Sequence, residues 1–115
     1  MKISKELSKG STALLILGVL RRGDLYGYQI IKTVETLSDS TFQMNEGTLY
    51  PILHALEQEK FLESYWNEGE DTGRRRKYYH ITQAGIDEFE RQSKEFSTFE
   101  QAVKKVIGGA LSGTV

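Results

Sequence analysis

Apolar residues recur at helical spacing in two segments near the N-terminus. Residues 11–22, STALLILGVLRR, are apolar almost throughout and too few to span a bilayer, which predicts a buried core helix. Apolar residues return three or four positions apart over residues 25–37, after the turn signal Gly23-Asp24. The pattern therefore predicts two helices joined by a tight turn.

A third helix is predicted between its N-cap at Asn45 and about residue 60. The residues of its apolar stripe are Leu49, Ile52, Leu53 and Leu56. Pro51 lacks the N–H that a helix interior needs, so we expect it in the first turn of a helix that begins near residues 46–48.

The hydrophobic period changes after the third helix. Two aromatic and β-branched runs, residues 61–66 and 77–82, flank the polar stretch 67–73 and predict a β-hairpin. Four cations at residues 74–77 stand at the exit of the polar tip. The hairpin, residues 61–82, is called the wing below, and we expect it to be a positively charged finger.

The last predicted helix runs from a cap at Thr82 to about Ile107. Its apolar positions recur in steps of three and four, as in a coiled-coil seam, and Glu100 interrupts them. The preceding elements already account for a compact core, so we expect this face to form a homodimer interface. The expected interface residues are Ile86, Phe89, Phe96, Phe99, Val103 and Ile107. The Gly-rich segment that follows is expected to be a flexible tail.

Composition limits the possible functions. A chain of 115 residues, 38% hydrophobic and without cysteine, is enough for one core but excludes disulfides and Cys-ligated zinc. The two histidines, His54 and His80, have no further ligands at metal-binding spacing, and no catalytic motif or Gly-rich phosphate loop is present. We expect neither an enzyme nor a cofactor or metal. Without an apolar signal region or a membrane span, a cytoplasmic protein is expected.

The charges are segregated along the chain, although the formal net charge is only −1. Residues 1–22 are mainly basic, residues 33–73 mainly acidic, and residues 74–77 basic. A basic wing after three helices is the order of a winged helix-turn-helix, in which the third helix enters the major groove. We expect a mainly α fold with a small β-hairpin: a DNA-binding domain over residues 1–82, then a C-terminal dimerisation helix and flexible tail over residues 83–115.

Four motifs give the chain a resemblance to the PadR-like transcriptional regulators. They are Gly27-Tyr28, GTLYP at residues 47–51, the basic wing segment RRRKYY at residues 74–79 and TQAG at residues 82–85. The resemblance covers residues 10–85 and implies a homodimeric DNA-binding repressor, often relieved by a small molecule bound near the dimer interface. A two-fold dimer predicts a pseudo-palindromic operator in double-stranded DNA and no membrane partner.

Position on the third helix and the wing indicates which side chains meet DNA. The inward stripe turns the opposite face outward, and the helix N-terminus is where bases and phosphates are usually met. The expected DNA-contacting residues are Lys9, Tyr28, Asn45, Glu46, Gly47, Thr48, Tyr50, His54, Arg74, Arg75, Arg76 and Lys77.

Several of these residues keep a purely structural alternative. Tyr50 could pack over the base of the wing, Tyr28 could pack against the third helix, and His54 could be only a solvated surface residue. The basic run could be a solvated face, and strand alternation lets about two of its side chains reach one groove wall.

A small aromatic or hydrophobic effector would need an aromatic pocket. The expected ligand residues are Trp66, Phe89, Phe96, Phe99 and Glu100, although rings at helical spacing are more often dimer core. The alternative function is a small-molecule-binding or protein-interaction module on a winged-helix scaffold without specific DNA binding. A flat hydrophobic or acidic outer face on the third helix would favour that alternative.

Overall fold

The computed structural model describes residues 3–68 and 75–112. Its helices are α1 (Lys5–Ser8), α2 (Thr12–Leu20), α3 (Gly27–Leu37), α4 (Glu46–Gln58) and α5 (Gln83–Ser112), with a 3-10 turn at Lys9–Ser11. Its strands are β1 (Leu25–Tyr26), β2 (Leu62–Glu68) and β3 (Arg75–Ile81). The expected mainly α fold class with a small β-hairpin is confirmed, and α2, α3 and α4 are the three predicted helices. None of the helices within these ranges has the length and hydropathy to cross a bilayer.

The core is built around α2. Ile16, Leu17 and Leu20 of this helix are fully buried, together with Ile30 of α3 and Leu53 of α4. A helix that is apolar on all sides needs partners on all sides, and α2 packs against α3, α4, α5 and β3. The apolar stripe of α4 is therefore held inward, which leaves the opposite face of α4 at the surface.

The wing belongs to an antiparallel sheet in the order β1-β3-β2. The hairpin was predicted, but the edge strand β1 was not, because two residues are too short to show a period. β1 exists through its pairing with β3, in which Leu25 faces Tyr79 and Tyr26 faces Tyr78. It ties the wing to the start of α3.

The ends of α4 follow from side-chain and backbone capping. The Asn45 side-chain carbonyl accepts a hydrogen bond of 2.9 Å from the Thr48 N–H, so Asn45 is the predicted N-cap. The helix therefore starts at Glu46, which places Pro51 in the second turn, not in the first turn as predicted. Pro51 is exposed, so water can meet the carbonyl that its missing N–H leaves unpaired.

The last helix, α5, begins directly after β3 and runs past its predicted end. The Thr82 hydroxyl oxygen accepts from the Gly85 N–H at 3.1 Å, which is the expected cap. A Cβ at Gly85 would overlap the Phe61 carbonyl, so α5 starts in close contact with the junction of α4 and β2. The helix continues to Ser112, through residues that were expected to belong to a flexible tail, and residues 113–115 lie outside the described residues.

The C-terminus of α4 offers a test of local backbone strain. The Lys60 N–H donates to the Glu57 carbonyl and the Phe61 N–H to the Leu56 carbonyl, both at 3.0 Å, which is a Schellman ending. This ending puts Lys60 at φ 68°, a conformation that favours glycine.

We expect Lys60→Gly to raise the free energy of unfolding by roughly 0.5–1 kcal/mol, because glycine adopts a positive φ without steric cost. The matched control is Glu59→Gly, whose position has φ −76° and should lose a similar amount. Urea denaturation of the two variants measures both values. Equal losses in both variants would contradict the strain assigned to Lys60.

Candidate nucleic-acid interface

The N-terminal turn of α4 is exposed. Asn45, Glu46, Gly47 and Thr48 are all at the surface, and the Asn45 cap takes up the Thr48 N–H, so that helix geometry leaves the N–H groups of Glu46 and Gly47 without an intrahelical acceptor. These groups and the helix dipole favour an anion such as phosphate. The structure therefore brings together four of the predicted DNA-contacting residues at one helix end.

The outward face of α4 continues this surface. His54 and Gln58 are exposed one turn apart, and the His54 Nε2 lies 3.3 Å from the Gln58 Nε2. The opposite face carries the fully buried Leu49 and Leu53. The outer face is thus polar and not hydrophobic, but it is not positively charged, because α4 has no Lys or Arg and exposes Glu46.

Tyr50 lies on the flank of α4 that faces α3 and the sheet. A Cβ at Gly27 would overlap the Tyr50 hydroxyl and lie 2.9 Å from its Cζ, so the ring packs over the start of α3. The side chain is still 44% exposed. Tyr28, one residue after Gly27, is 57% exposed, with the Lys32 Nζ 5.7 Å from its ring centroid.

Strand register divides the basic run of the wing between two faces. Arg75 and Lys77 share the face of the buried Tyr79, whereas Arg76 lies on the opposite face, as strand alternation predicts. The Arg75 guanidinium lies 4.9 Å from the Trp66 ring centroid, and that of Arg76 lies 4.7 Å from the Tyr26 ring centroid. Arg74 lies outside the described residues.

The outer face of the sheet carries a tyrosine cluster formed by Tyr26, Tyr65 and Tyr78. The Tyr65 and Tyr78 rings stack with centroids 5.7 Å apart, and Tyr26 meets Tyr78 edge to face at 5.4 Å. Sequence reasoning missed this cluster, because its three members come from three strands and meet only through the sheet register. The cluster fixes the outer surface at the base of the wing.

Asp24 fastens this base to the turn between α2 and β1. Its carboxylate accepts a hydrogen bond of 2.7 Å from the Tyr65 hydroxyl and lies 2.8 Å from the His80 Nδ1. Burial raises the pKa of Asp24, but the hydrogen bonds from His80 and Tyr65 outweigh it, and the pKa lies below its usual 3.8. The same hydrogen bond raises the pKa of the Tyr65 hydroxyl.

Lys9 lies apart from the elements of the wing. It is exposed in the 3-10 turn, a segment that packs against α1 and α2. Its chain neighbours Ser8 and Gly10 line a groove of about 960 Å³ along α5. Lys9 is therefore a predicted DNA contact that lies on a different part of the structure from α4 and β3.

The groove between the N-terminal segment and α5, called the α5 groove, gathers part of the predicted dimer and ligand set. The members of that set that line it are Phe96, Phe99, Glu100, Val103 and Ile107. Sequence reasoning missed its other wall, which includes Leu7 and Phe42. That wall comes from a short helix and a loop without periodic pattern.

The remaining members of the dimer and ligand set lie elsewhere in the chain. Ile86 and Phe89 are half-buried against the core, because the first turns of α5 cover α2. Trp66 lies on β2 beside Arg75, so it does not line the α5 groove. Within the ranges that the structure describes, no group of three or more His, Asp or Glu side chains could hold a metal ion.

Comparison with known proteins gives a consistent set of relatives. The Transcriptional regulator PadR-like family matches residues 16–91. A transcriptional regulator from Clostridium thermocellum is similar in structure, with a TM-score of 0.79 and 31% identity over 87% of this chain and 96% of that one. A PadR family transcriptional regulator from Eggerthella lenta has a TM-score of 0.76 and 30% identity, over 89% and 86%. Transcriptional regulator YqjI of Escherichia coli is 28% identical over 103 residues, which are 89% of this chain and 47% of that protein.

The Asp24 contacts make a pH-dependent prediction. The stability that Asp24 contributes is fully present above its ordinary pKa of 3.8 and is lost as the pH falls through its lowered folded-state pKa. We expect Asp24→Asn to lower the free energy of unfolding at about pH 7 by roughly 0.5–1.5 kcal/mol, the range for a lost hydrogen bond. The difference from wild type should shrink below pH 3.8.

The midpoints of urea denaturation, measured for wild type and Asp24→Asn at about pH 7 and at a pH below 3.8, test this prediction. The control is Asp87→Asn, which removes an exposed carboxylate on α5 that accepts from Gln83 and not from Tyr65 or His80. A stability difference in Asp24→Asn that is the same at both pH values would contradict the assignment to Asp24.

Proposed function

The chain belongs to the transcriptional regulator PadR-like family, and from that premise we propose that it is a homodimeric repressor that binds a pseudo-palindromic operator. In this proposal α4 enters the major groove, and the wing follows the phosphate backbone. The proposed domain division keeps residues 1–82 as the DNA-binding part and residues 83–115 as the dimerisation part. Membership of this family implies a DNA-binding transcriptional regulator. The repressor role and the homodimer are our inference.

One observation supports DNA as the partner above all others. The capped, exposed N-terminus of α4 and the exposed Arg75 belong to two elements that meet through Glu57 of α4 and Lys77 of β3, 3.8 Å apart, and Arg75 shares the face of Lys77. Exposed backbone N–H groups and a guanidinium suit phosphates, and the polar side chains of α4 suit base edges. The exposed His54 and Gln58 extend that surface along the helix.

The dimer is proposed from the outer part of α5. This helix has 30 residues, about 45 Å at the usual rise, and only its first turns cover the core. Beyond them the apolar residues are exposed: Phe96, Phe99, Val103, Val106, Ile107 and Leu111. A second copy would bury this face in a two-fold pair, which also sets two α4 helices at a fixed spacing.

We also propose that the α5 groove binds a small effector molecule. Phe96 and Phe99 offer ring surfaces to a small aromatic or hydrophobic molecule, and the Glu100 carboxylate accepts from the Lys104 Nζ at 2.9 Å. The same groove favours the second candidate function, a ligand-binding or protein-interaction module without specific DNA binding. The two candidates differ in whether α4 and the wing bind DNA.

Binding to DNA from the region upstream of the chain's own coding sequence tests the proposal. We expect a shift that survives competitor DNA and weakens steeply between about 50 and 200 mM salt. Arg75→Ala should weaken binding to all sequences alike and lower the salt slope by about one unit, the value for one lost phosphate contact. Absence of binding even at low salt would support the ligand or partner module instead.

The control for Arg75→Ala is Arg91→Ala on α5. Arg91 is engaged by Glu88 at 2.8 Å and Glu95 at 3.2 Å, so its loss should leave the salt slope unchanged. Equal slopes for wild type and Arg75→Ala would remove the wing from the DNA contact.

The dimer prediction concerns the exposed stripe of α5. We expect Val103→Glu to give a monomer in light scattering and to weaken operator binding at least about tenfold, because the second half-site no longer binds on the same particle. The control is Gln101→Glu, which adds the same group at an exposed position on the opposite side of the helix. A dimer that survives Val103→Glu would contradict the assignment of this face.

A further inference from the structure

One carboxylate of α4 contacts both strands of the wing. The Glu57 Oε2 accepts a hydrogen bond of 2.6 Å from the Ser64 hydroxyl, and its Oε1 lies 3.8 Å from the Lys77 Nζ. Ser64 belongs to β2 and Lys77 to β3, so a single side chain of α4 contacts both strands of the hairpin. Sequence reasoning missed Glu57, since a lone acid near a helix end carries no pattern.

The two contacts of Glu57 differ in strength. A hydroxyl-to-carboxylate distance of 2.6 Å lies in the range of short, charge-assisted hydrogen bonds. The Lys77 pair is long, and its side chains are 39% and 29% exposed, which is typical of an ion pair that adds little stability. Of the two Glu57 contacts, the Ser64 hydrogen bond is therefore the stronger.

The surroundings of Glu57 explain why this contact can set the position of the wing. Tyr79 pairs with Ser64 in the sheet and is buried, and burial together with the nearby Glu57 and Tyr50 raises the pKa of its phenol. Tyr50 and Glu57 stand two turns apart on the same flank of α4. Apolar packing of Tyr79 is non-directional, whereas the hydrogen bond from Ser64 has a preferred direction.

We propose that Glu57 is a positioning residue for DNA binding, which holds the wing at a fixed angle to α4 through Ser64. The inference rests on the proposed binding of DNA by α4 and the wing. In this arrangement Lys77 belongs to the contact between α4 and the wing, which is called the joint. Among the described cations on this face of the wing, Arg75 is then the one left to contact phosphate.

The direction in which DNA affinity changes when Glu57 is replaced distinguishes a positioning role from electrostatic repulsion of DNA. A carboxylate near DNA repels phosphates, so removing its charge alone strengthens binding and frees Lys77 for a phosphate contact. Loss of the fixed angle between the wing and α4 weakens binding. The hairpin must then be ordered when DNA binds, which costs free energy. The two effects predict opposite changes for the same substitution.

We expect Glu57→Ala to bind operator DNA roughly fivefold or more weakly than wild type, as the loss of a charge-assisted hydrogen bond implies. Ser64→Ala should change binding in the same direction without altering charge, and Glu57→Gln, which removes the charge but keeps an acceptor for Ser64, should bind more tightly than Glu57→Ala. The charge control is Glu63→Ala, an exposed carboxylate on the opposite face of β2, which should bind as tightly as wild type or more tightly. Thermal unfolding of each variant shows whether the fold persists.

A second measurement needs no DNA. Trp66 is the only tryptophan of the chain, lies on β2 two residues after Ser64, and is 57% exposed. We expect faster local motion of Trp66 in the fluorescence anisotropy decay of Glu57→Ala and Ser64→Ala, and a wild-type decay in Glu63→Ala. Because it reports on the hairpin alone, this readout decides whether Glu57 holds the wing.

The outcomes separate the two proposals. Tighter binding with a steeper salt dependence in Glu57→Ala would mean that Glu57 only masks Lys77, and an unchanged Trp66 decay would also overturn the positioning role. If wild type binds no DNA, the proposed function fails and the DNA role of Glu57 fails with it. The Trp66 decay would then still show whether the joint between α4 and the wing exists.

Discussion

Burial of α2 on every side is the constraint on which the arrangement of the other elements depends. Ile16, Leu17 and Leu20 are fully buried, and each neighbour of α2 must turn an apolar surface toward them. In α4 the apolar stripe is therefore buried in the core. The opposite face and the capped N-terminus of α4 remain exposed to a partner. In α5, Ile86 and Phe89 close the core, whereas the apolar residues from Phe96 onward are left exposed.

The features that the sequence predicts are those encoded by nearby residues. The Asn45 cap, the apolar stripe of α4 and the alternating faces of the basic run depend on neighbours within a few positions, and the structure agrees with each. The edge strand β1 depends on pairings between residues about fifty positions apart, and the tyrosine cluster joins residues of three strands, neither of which a local period reveals. Trp66 lies on the first strand of the hairpin, where the pattern places it, but it does not line the α5 groove with the phenylalanines of α5.

Local pairing of acidic residues explains how a net charge of −1 is compatible with a DNA-binding surface. Glu88 accepts from Arg91, a contact that lowers its pKa to about 2, and Glu100 pairs with Lys104. Glu57 contacts Ser64 and Lys77 at the joint of α4 and the wing. Glu57, Glu88 and Glu100 are thus paired within α5 or at the contact of α4 with the wing, while Arg75 is held over the Trp66 ring and stays exposed.

The position of α5 links the proposed dimer to the proposed DNA surface. Its cap, Thr82, donates its hydroxyl to the Lys60 carbonyl at 2.7 Å, and its N–H donates to the Phe61 carbonyl at 3.0 Å. Gly85 packs against the same Phe61 carbonyl, so the start of α5 is fixed to the end of α4 and the start of β2. Since α5 cannot tilt at this junction without moving α4, the spacing of two α4 helices in a dimer is set by how the two α5 helices pack. A ligand in the α5 groove would change operator affinity only if it binds two such packings with different affinity.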